Sequence, residues 1–267
     1  MSTTKPIAAE VDARAVVSTS ARLGSDVRIG PYAIVGDEVE LGDGCVLEPH
    51  AVVKGPSKFG RNNHVHSFAI VGGDPQDLTY TGQRVWLEVG DSNEFREYCT
   101  VHRGTIKGGG VTRIGSHNLI MAYAHIGHDC IIGDRTILIN GAQLAGHIQI
   151  EDYATISSFC LLHQFVRIGA HSYTGAGTII TQDVAPFSLI VSARETRCYG
   201  MNKVGLERRG FSLDRIQRIE KAFRYLLRSR LNTTQAVEKM RGTLSDSEDV
   251  QTIIRFIEST TDRGLTK

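Results

Sequence analysis

An aliphatic residue recurs every six positions over a long central stretch: Ile114, Ile120, Ile126, Ile132, Leu138, Leu144, Ile150, Ile156, Leu162, Ile168 and Ile180, with Thr174 the one exception. Neither the 3.6-residue period of a helix nor the two-residue period of a half-buried strand fits that spacing. A unit of one short flat strand and a turn does. Three such units close a triangular coil of eighteen residues, and the opening aliphatic of each then points inward. The fifth position of each unit carries compact side chains suited to a corner, among them Ala124, Cys130, Thr136, Ala142, Ala154 and Cys160. The pattern predicts a mainly β chain wound as a parallel β-helix, with coils about 4.8 Å apart around one apolar column.

The same frame runs from Val11 to Val71 and returns at Val89, Phe95 and Val101, so the β-helix is assigned to residues 1–190. Two segments interrupt it. One, near 72–88, opens with the polar, turn-rich run Gly-Gly-Asp-Pro-Gln-Asp-Leu, which a coil interior cannot accommodate. The other, 107–113, holds three consecutive glycines. Loops on a repeat scaffold gather on its binding face, which makes these two the first candidates for substrate contact. A tolerated surface insertion is the competing reading.

Beyond Pro186 the composition shifts to helix formers, and residues 191–267 are expected to form a small C-terminal α-helical domain. Ser212 is placed to N-cap an amphipathic run whose Ile216, Ile219, Phe223 and Leu226 or Leu227 make one apolar stripe. Ser245 with Glu248 reads as a capping box opening the last helix. Between Arg194 and Arg230 eleven Lys or Arg stand against four Asp or Glu. A solvated helical face is the ordinary explanation for such a run. Docking of an acidic protein or of phosphates is the sharper one.

Net charge is only +1, which gives no reason to expect nucleic acid or a membrane surface as partner. Met1–Glu10 lacks the apolar core of a secretory signal, and no run approaches the roughly eighteen apolar residues of a membrane span. A cytoplasmic protein without an integral membrane segment is expected. Cys45, Cys99, Cys130 and Cys160 all fall on the fifth position and are read as core rather than as disulfides or metal ligands.

Chemistry concentrates in His125-Ile-Gly-His128-Asp129, Gly146-His147 and His163-Gln164. With eighteen residues per coil, positions 128, 146 and 164 stack along one edge. Imidazole titrates near 6.5, which suits a general base that accepts and returns a proton near neutral pH. Asp129 is placed to orient His128, although neighbouring side chains on a strand point to opposite faces. A zinc lyase of the three-histidine β-helix type needs His-x4-His, and no two histidines here are five apart. No metal is assigned.

The chain resembles the hexapeptide-repeat acyltransferases, which implies a left-handed helix. At Gly-Gly-Asp-Pro-Gln-Asp-Leu, His-Ile-Gly-His-Asp-Cys, Leu-Ala-Gly-His, His-Gln-Phe and Gly-Leu-Glu-Arg-Arg-Gly-Phe it is similar to the acyl carrier protein dependent UDP-N-acetylglucosamine O-acyltransferases of lipid A synthesis. That resemblance implies a homotrimer with active sites between neighbouring β-helices. It also implies His128 as general base, Asp129 as the residue orienting it, and the Gly146 N–H as oxyanion donor. Gln76 and Asp77 match a sugar-contacting loop, and His125, His147, His163 and Gln164 match further substrate-lining positions. Asn202, Arg208 and Arg209 match positions near the nucleotide and the phosphopantetheine arm. Ala176 matches a position that sets acyl length, implying a 3-hydroxyacyl chain of medium length. No cofactor is implied, since the donor carries its phosphopantetheine on acyl carrier protein, whose acidity would suit the basic cap.

The chain also departs from the family. Thr79 replaces a lysine, Val204 an acidic residue, and Val191–Thr196 lacks the usual Gln-Gly-Asn-His run, for which Arg194 is one candidate compensation. The acceptor is therefore either UDP-N-acetylglucosamine or its 3-amino analogue. The N-acyltransferase of the same pathway is a competitor, disfavoured because its repeats follow an N-terminal domain whereas hexads here begin at Val11. A non-catalytic scaffold is disfavoured by the aligned polar row.

Overall fold

The computed structural model describes residues 8–192, 196–259 and 264–267. Strands of two to five residues run from Glu10 to Ser192. Where no loop intervenes, the strands up to Ile180 pair in parallel at a spacing of eighteen, with Ile126 opposite Leu144, Leu144 opposite Leu162, and Leu162 opposite Ile180, and only the last parallel strand pair, Thr174 with Ile190, is sixteen apart. They form three sheets: A, which includes Leu119–Ile120; B, which includes His125–Ile126; and C, which includes Ile131–Ile132. Each coil therefore turns three corners, from A to B, B to C and C to A.

The hexad openers fill the axis of this prism. Ile120, Ile126, Leu138, Leu144, Ile156, Ile168 and Ile180 are fully buried. So is Thr174, whose hydroxyl accepts the Ser157 N–H at 3.2 Å and lies 3.4 Å from Cys160 Sγ, so the polar break in the column is satisfied. Cys45, Cys99, Cys130 and Cys160 are buried free thiols, and burial pushes Cys99 and Cys130 up to about 12, far from reactive. The corner between C and A also holds a polar ladder. Asn63 Oδ1 accepts from Asn93 Nδ2 at 2.9 Å, Asn93 Oδ1 from the Asn118 N–H at 2.9 Å, and Asn118 Oδ1 from the Thr136 N–H at 2.7 Å. These amides hold successive coils together.

Turning a corner in so few residues puts the fourth hexad position in the left-handed region. Tyr123, Asp129, His147, Tyr153 and Phe165 have φ of 62°, 62°, 63°, 61° and 67°. That conformation costs a non-glycine residue about 1–2 kcal/mol. Stacking of like positions offsets it. Along the corner between A and B, the rings of Tyr32, His50, Phe68, Tyr98 and Tyr123 lie 5.0–5.2 Å apart.

Both loops leave from one corner, B to C. Val71 is followed by residues 74–85 before Trp86–Val89, and Val101 by residues 103–110 before Val111–Ile114. After each, the parallel ladder resumes in register, with Val89 opposite Phe59 and Ile114 opposite Val89.

Sheet A closes with the antiparallel hairpin Ser188–Ser192 and Thr196–Met201. Four helices follow: α1 (Lys203–Arg208), α2 (Leu213–Leu227), α3 (Thr233–Thr243) and α4 (Glu248–Glu258). Ser212 caps α2 as its sequence predicts, and Leu226 rather than Leu227 is the fully covered end of its stripe. At α4 the cap is Ser247, which accepts from the Val250 N–H, and not Ser245; the capping box belongs to Asn232 and Gln235 at α3. A second apolar core formed by α1 to α4 and Phe187 joins this unit to the prism. Arg167 ties the two together, donating to Asp183 at 2.9 Å, to Ser259 Oγ at 3.0 Å and to the Phe256 carbonyl at 3.2 Å.

His171 sits in that junction, stacked between Tyr153 and Phe187 with Phe211 against its edge. Burial first, and then the Arg209 charge, lowers it to about 4. The unfolded chain takes up this proton near 6.5 while the folded one resists to about 4, so the stability the neutral ring supplies is present above about 6.5 and lost as pH falls toward 4. His171→Phe, which keeps the stack, should shrink the drop in Tm between about pH 7 and pH 4.5; an unchanged drop in thermal melts would show that other groups carry it.

Candidate active site

Three corner segments, 127–130, 145–148 and 163–166, lie one above another at the B-to-C edge, directly below the two loops. His128 Nδ1 is 2.7 Å from Asp129 Oδ2. Adjacent residues meet here because Asp129 is not on a strand. Its φ of 62° swings the carboxylate back alongside the imidazole, which removes the difficulty raised by strand alternation.

The second loop then encloses Asp129. Thr105 donates to it twice, from its N–H at 2.7 Å and its hydroxyl at 2.6 Å, and Thr112 Oγ1 accepts the Asp129 N–H at 2.8 Å. The Asp129 side chain is 1% exposed. Such closure requires a glycine at 108, because a Cβ there would lie 2.0 Å from the Asp129 carboxyl carbon. With Nδ1 committed to Asp129, His128 presents Nε2 to any substrate.

Gly146 lies over the His128 ring. A Cβ at 146 would fall 2.6–3.0 Å from three of its atoms. Among the described residues the Gly146 N–H donates to no acceptor, since the third hexad position stands outside the inter-coil ladder. An unspent donor and an imidazole nitrogen thus face the same space.

Other histidines surround the pair. His147 stacks on Phe165 at 4.5 Å, meets His128 edge-on at 5.1 Å, and has Nε2 3.7 Å from Asp129. His125 bonds Thr100 Oγ1 at 2.8 Å and meets His102 edge-on at 4.9 Å. Burial lowers His147 and His125, and lowers His102 to about 4; the like charge of His128 adds to each. Each shift favours the neutral ring beside His128.

His128, Asp129 and His147 also bring three ligand-type atoms within 4.8 Å of one another. The His128–Asp129 separation of 2.7 Å is a hydrogen-bond distance, shorter than the about 3.3 Å between two donors on a tetrahedral zinc. The arrangement is that of an imidazole hydrogen-bonded to a carboxylate.

The first loop overhangs this corner. Asp77 accepts from the Thr79 N–H at 2.6 Å and hydroxyl at 2.5 Å, and these bonds hold its carboxyl below the usual range, with His128 and Lys107 contributing charge. Thr79 is thus turned onto Asp77, while Gln76 is exposed. The loop's base rests on Arg103, which donates to the carbonyls of Gly55 at 2.6 Å and Gly72 at 2.7 Å and pairs with Asp74. Arg103 and His102 escape sequence reading because neither sits in a repeat position tied to the polar row.

His163 and Gln164 are exposed on the next coil of the same edge. The remaining candidates lie elsewhere. Asn202 is 6% exposed and occupied, capping α1 through Gly205 and donating to the His171 carbonyl at 3.1 Å. Half-buried Arg209 donates to the Tyr153 carbonyl at 2.6 Å, and Arg208 is exposed; all three stand at the C-to-A corner. Ala176 is exposed at the A-to-B corner. Val204, on α1, is 56% exposed, and Arg194 lies outside the described residues.

Two family models match the chain: a bacterial transferase hexapeptide model at residues 20–55 and 111–146, and the second domain of UDP-N-acetylglucosamine O-acyltransferase at 183–266. An acyl-[acyl-carrier-protein]–UDP-N-acetylglucosamine O-acyltransferase of Stutzerimonas stutzeri is 41% identical over 96% of this chain and 99% of its own length. Its counterpart from Halorhodospira halophila is 44% identical over 94% and 96%. Among solved structures, the UDP-N-acetylglucosamine acyltransferase of Francisella novicida superposes with TM-score 0.93 at 34% identity, covering 96% of this chain and 93% of that one. The enzyme of Acinetobacter baumannii gives 0.92 at 37%, covering 96% and 99%.

The prism is therefore the left-handed β-helix of the hexapeptide-repeat transferases, and the chain is an acyltransferase of that class. The likeness spans the corner site and the helical cap alike. Within the class, the chain belongs to the UDP-N-acetylglucosamine O-acyltransferase family.

Gly146→Ala should displace the His128 ring and cut kcat by about 10²-fold with circular dichroism and Tm near those of the parent. A variant of full activity would show that the ring has room the geometry denies it.

Proposed function

We propose that this chain transfers a 3-hydroxyacyl group from the phosphopantetheine thioester of acyl carrier protein to the 3-hydroxyl of UDP-N-acetylglucosamine, the opening acylation of lipid A synthesis in the cytoplasm. The family assignment supports the substrates. The observation that carries the mechanism is a His128 held at Nδ1 by Asp129, with Nε2 free beneath the unspent Gly146 N–H.

In this reading Nε2 takes the proton from the sugar hydroxyl as its oxygen attacks the thioester carbon. Charge develops on the carbonyl oxygen, and the Gly146 N–H donates to it. Asp129, anchored by Thr105, stabilises the imidazolium. Collapse then breaks the C–S bond, and the departing sulfur takes the proton back from His128. The atoms balance without a covalent enzyme intermediate, a metal or any other cofactor.

The scatter of the other candidates supports a homotrimer. Gln76, Asp77, His147, His163 and Gln164 share the B-to-C edge with His125 beside them on sheet B, whereas Asn202, Arg208 and Arg209 occupy C-to-A and Ala176 occupies A-to-B. No single chain presents those edges to one ligand, but parallel neighbours do. In such a cleft the first group would hold the sugar, the arginines the nucleotide or pantetheine phosphates, and Ala176 the acyl terminus.

Thr79, committed to Asp77, and the uncharged Val204 leave the 3-substituent of the acceptor as the open choice. Mass analysis of product formed from UDP-N-acetylglucosamine and from its 3-amino analogue, each with 3-hydroxyacyl carrier protein, decides it; acylation of neither sinks the proposal. His128→Ala should lower kcat by about 10²- to 10⁴-fold while gel filtration and Tm stay unchanged, and near-normal turnover would reject the base. Arg208 is exposed and makes no structural bond with Tyr153, so Arg208→Glu is the clean probe of the basic cap. It should raise KM for the carrier-protein donor and leave kcat nearly intact; an unaltered KM would remove Arg208 from the donor's path.

A further inference from the structure

A second cluster of ligand-type side chains lies away from the B-to-C corner that carries the loops, on the outer face of sheet A where it turns toward B. His64 and His66 are two apart on the strand His64–Val65 and its exit, so both rings stand on the outer face while Val65 is buried in the axis. Their rings stack at 3.9 Å. One coil earlier Leu47 pairs with Val65, which puts Glu48 in line with His66.

One carboxylate oxygen serves both rings. Glu48 Oε1 is 3.0 Å from His64 Nε2 and 3.2 Å from His66 Nδ1. The other oxygen, Oε2, accepts from the Ser67 N–H and hydroxyl, each at 3.3 Å, and this pair of bonds fixes the carboxylate's orientation. All three ligand-type atoms fall within 4.8 Å of one another. The next coil sets Arg96 beside His66, but its guanidinium is forked onto Glu97 by two bonds of 3.0 Å, so its charge is locally balanced.

We propose that Glu48, His64 and His66 form a binding site for a zinc-class divalent cation, distinct from the His128 corner and clamping two successive coils together. Two imidazoles and a carboxylate are the donor set that zinc and its first-row neighbours favour over magnesium or calcium. The oxygen–nitrogen separations of 3.0 Å, itself a hydrogen bond, and 3.2 Å need open only slightly to reach the about 3.3 Å between donors on one tetrahedral ion. Glu48 and His64 are each 33% exposed at the side chain, so an ion can enter and water can complete its coordination. Ser67 is the outer partner that such a carboxylate needs.

The test uses the full chain, freed of metal with a chelator, titrated with zinc chloride against a chromophoric competitor, and in parallel with cobalt chloride to read ligand-field absorption. One equivalent per chain should bind at micromolar concentration or tighter, persist in His128→Ala, and raise Tm. Glu48→Gln, which preserves shape, and His64→Ala, at a half-buried position, should each weaken that equivalent by at least roughly tenfold and abolish the Tm gain. Absence of saturable binding in the parent, or a loss below tenfold in both variants, overturns the site. So does an equivalent that disappears in His128→Ala, since the ion would then sit at the active corner.

Discussion

Every feature of this molecule inherits its position from the hydrogen-bond ladder between coils. One coil of eighteen residues brings like hexad positions into contact, so a side chain is placed by its phase in the repeat and not by its neighbours in sequence. Ile126, Leu144, Leu162 and Ile180 form one buried line for that reason, and His128, Gly146 and Gln164 form one edge. The axis must stay apolar for the ladder to stack. At Thr174, the only polar opener in the central run, the hydroxyl is bonded by the coil before it.

Much of this was legible in the sequence because a strict period is a global statement. Six-residue spacing identified the β-helix, the inward column, the buried thiols and the row containing His128. Features that depend on backbone conformation or on distant partners were not legible. Strand alternation argued against contact between His128 and Asp129, but the left-handed φ of Asp129 reverses the argument. His102 and Arg103 carried no signal in the repeat, and only folding shows one beside His125 and the other beneath the first loop. The Asn63–Asn93–Asn118 ladder escaped because the fifth position was read for size and not for amide bonding. Ser245 and Ser247 both precede Glu248, and the one that caps the helix is set by where the chain turns.

Two glycines show how tightly the corner is built. Gly108 admits the second loop onto Asp129, and Gly146 admits one coil onto the ring of the coil before it. In both places the missing side chain is a condition for contact between functional groups. Thr105 completes the arrangement, since it caps the short helical turn Ile106–Gly108 and binds the carboxylate with the same hydroxyl. Loop geometry and the orientation of the His128–Asp129 pair are therefore coupled through one residue.

The two loops differ in a way that bears on how such a scaffold diversifies. Eighteen residues separate Val71 from Val89 and thirteen separate Val101 from Ile114, where an uninterrupted chain would use six. One insertion is a whole number of hexads and the other is not, yet the ladder restarts equally well after both. A corner thus acts as a joint that absorbs any count of residues without passing the error along the axis. The walls above the His128 edge are free to change in length and chemistry as detachable modules, while the prism that aligns the stacked side chains keeps its pitch.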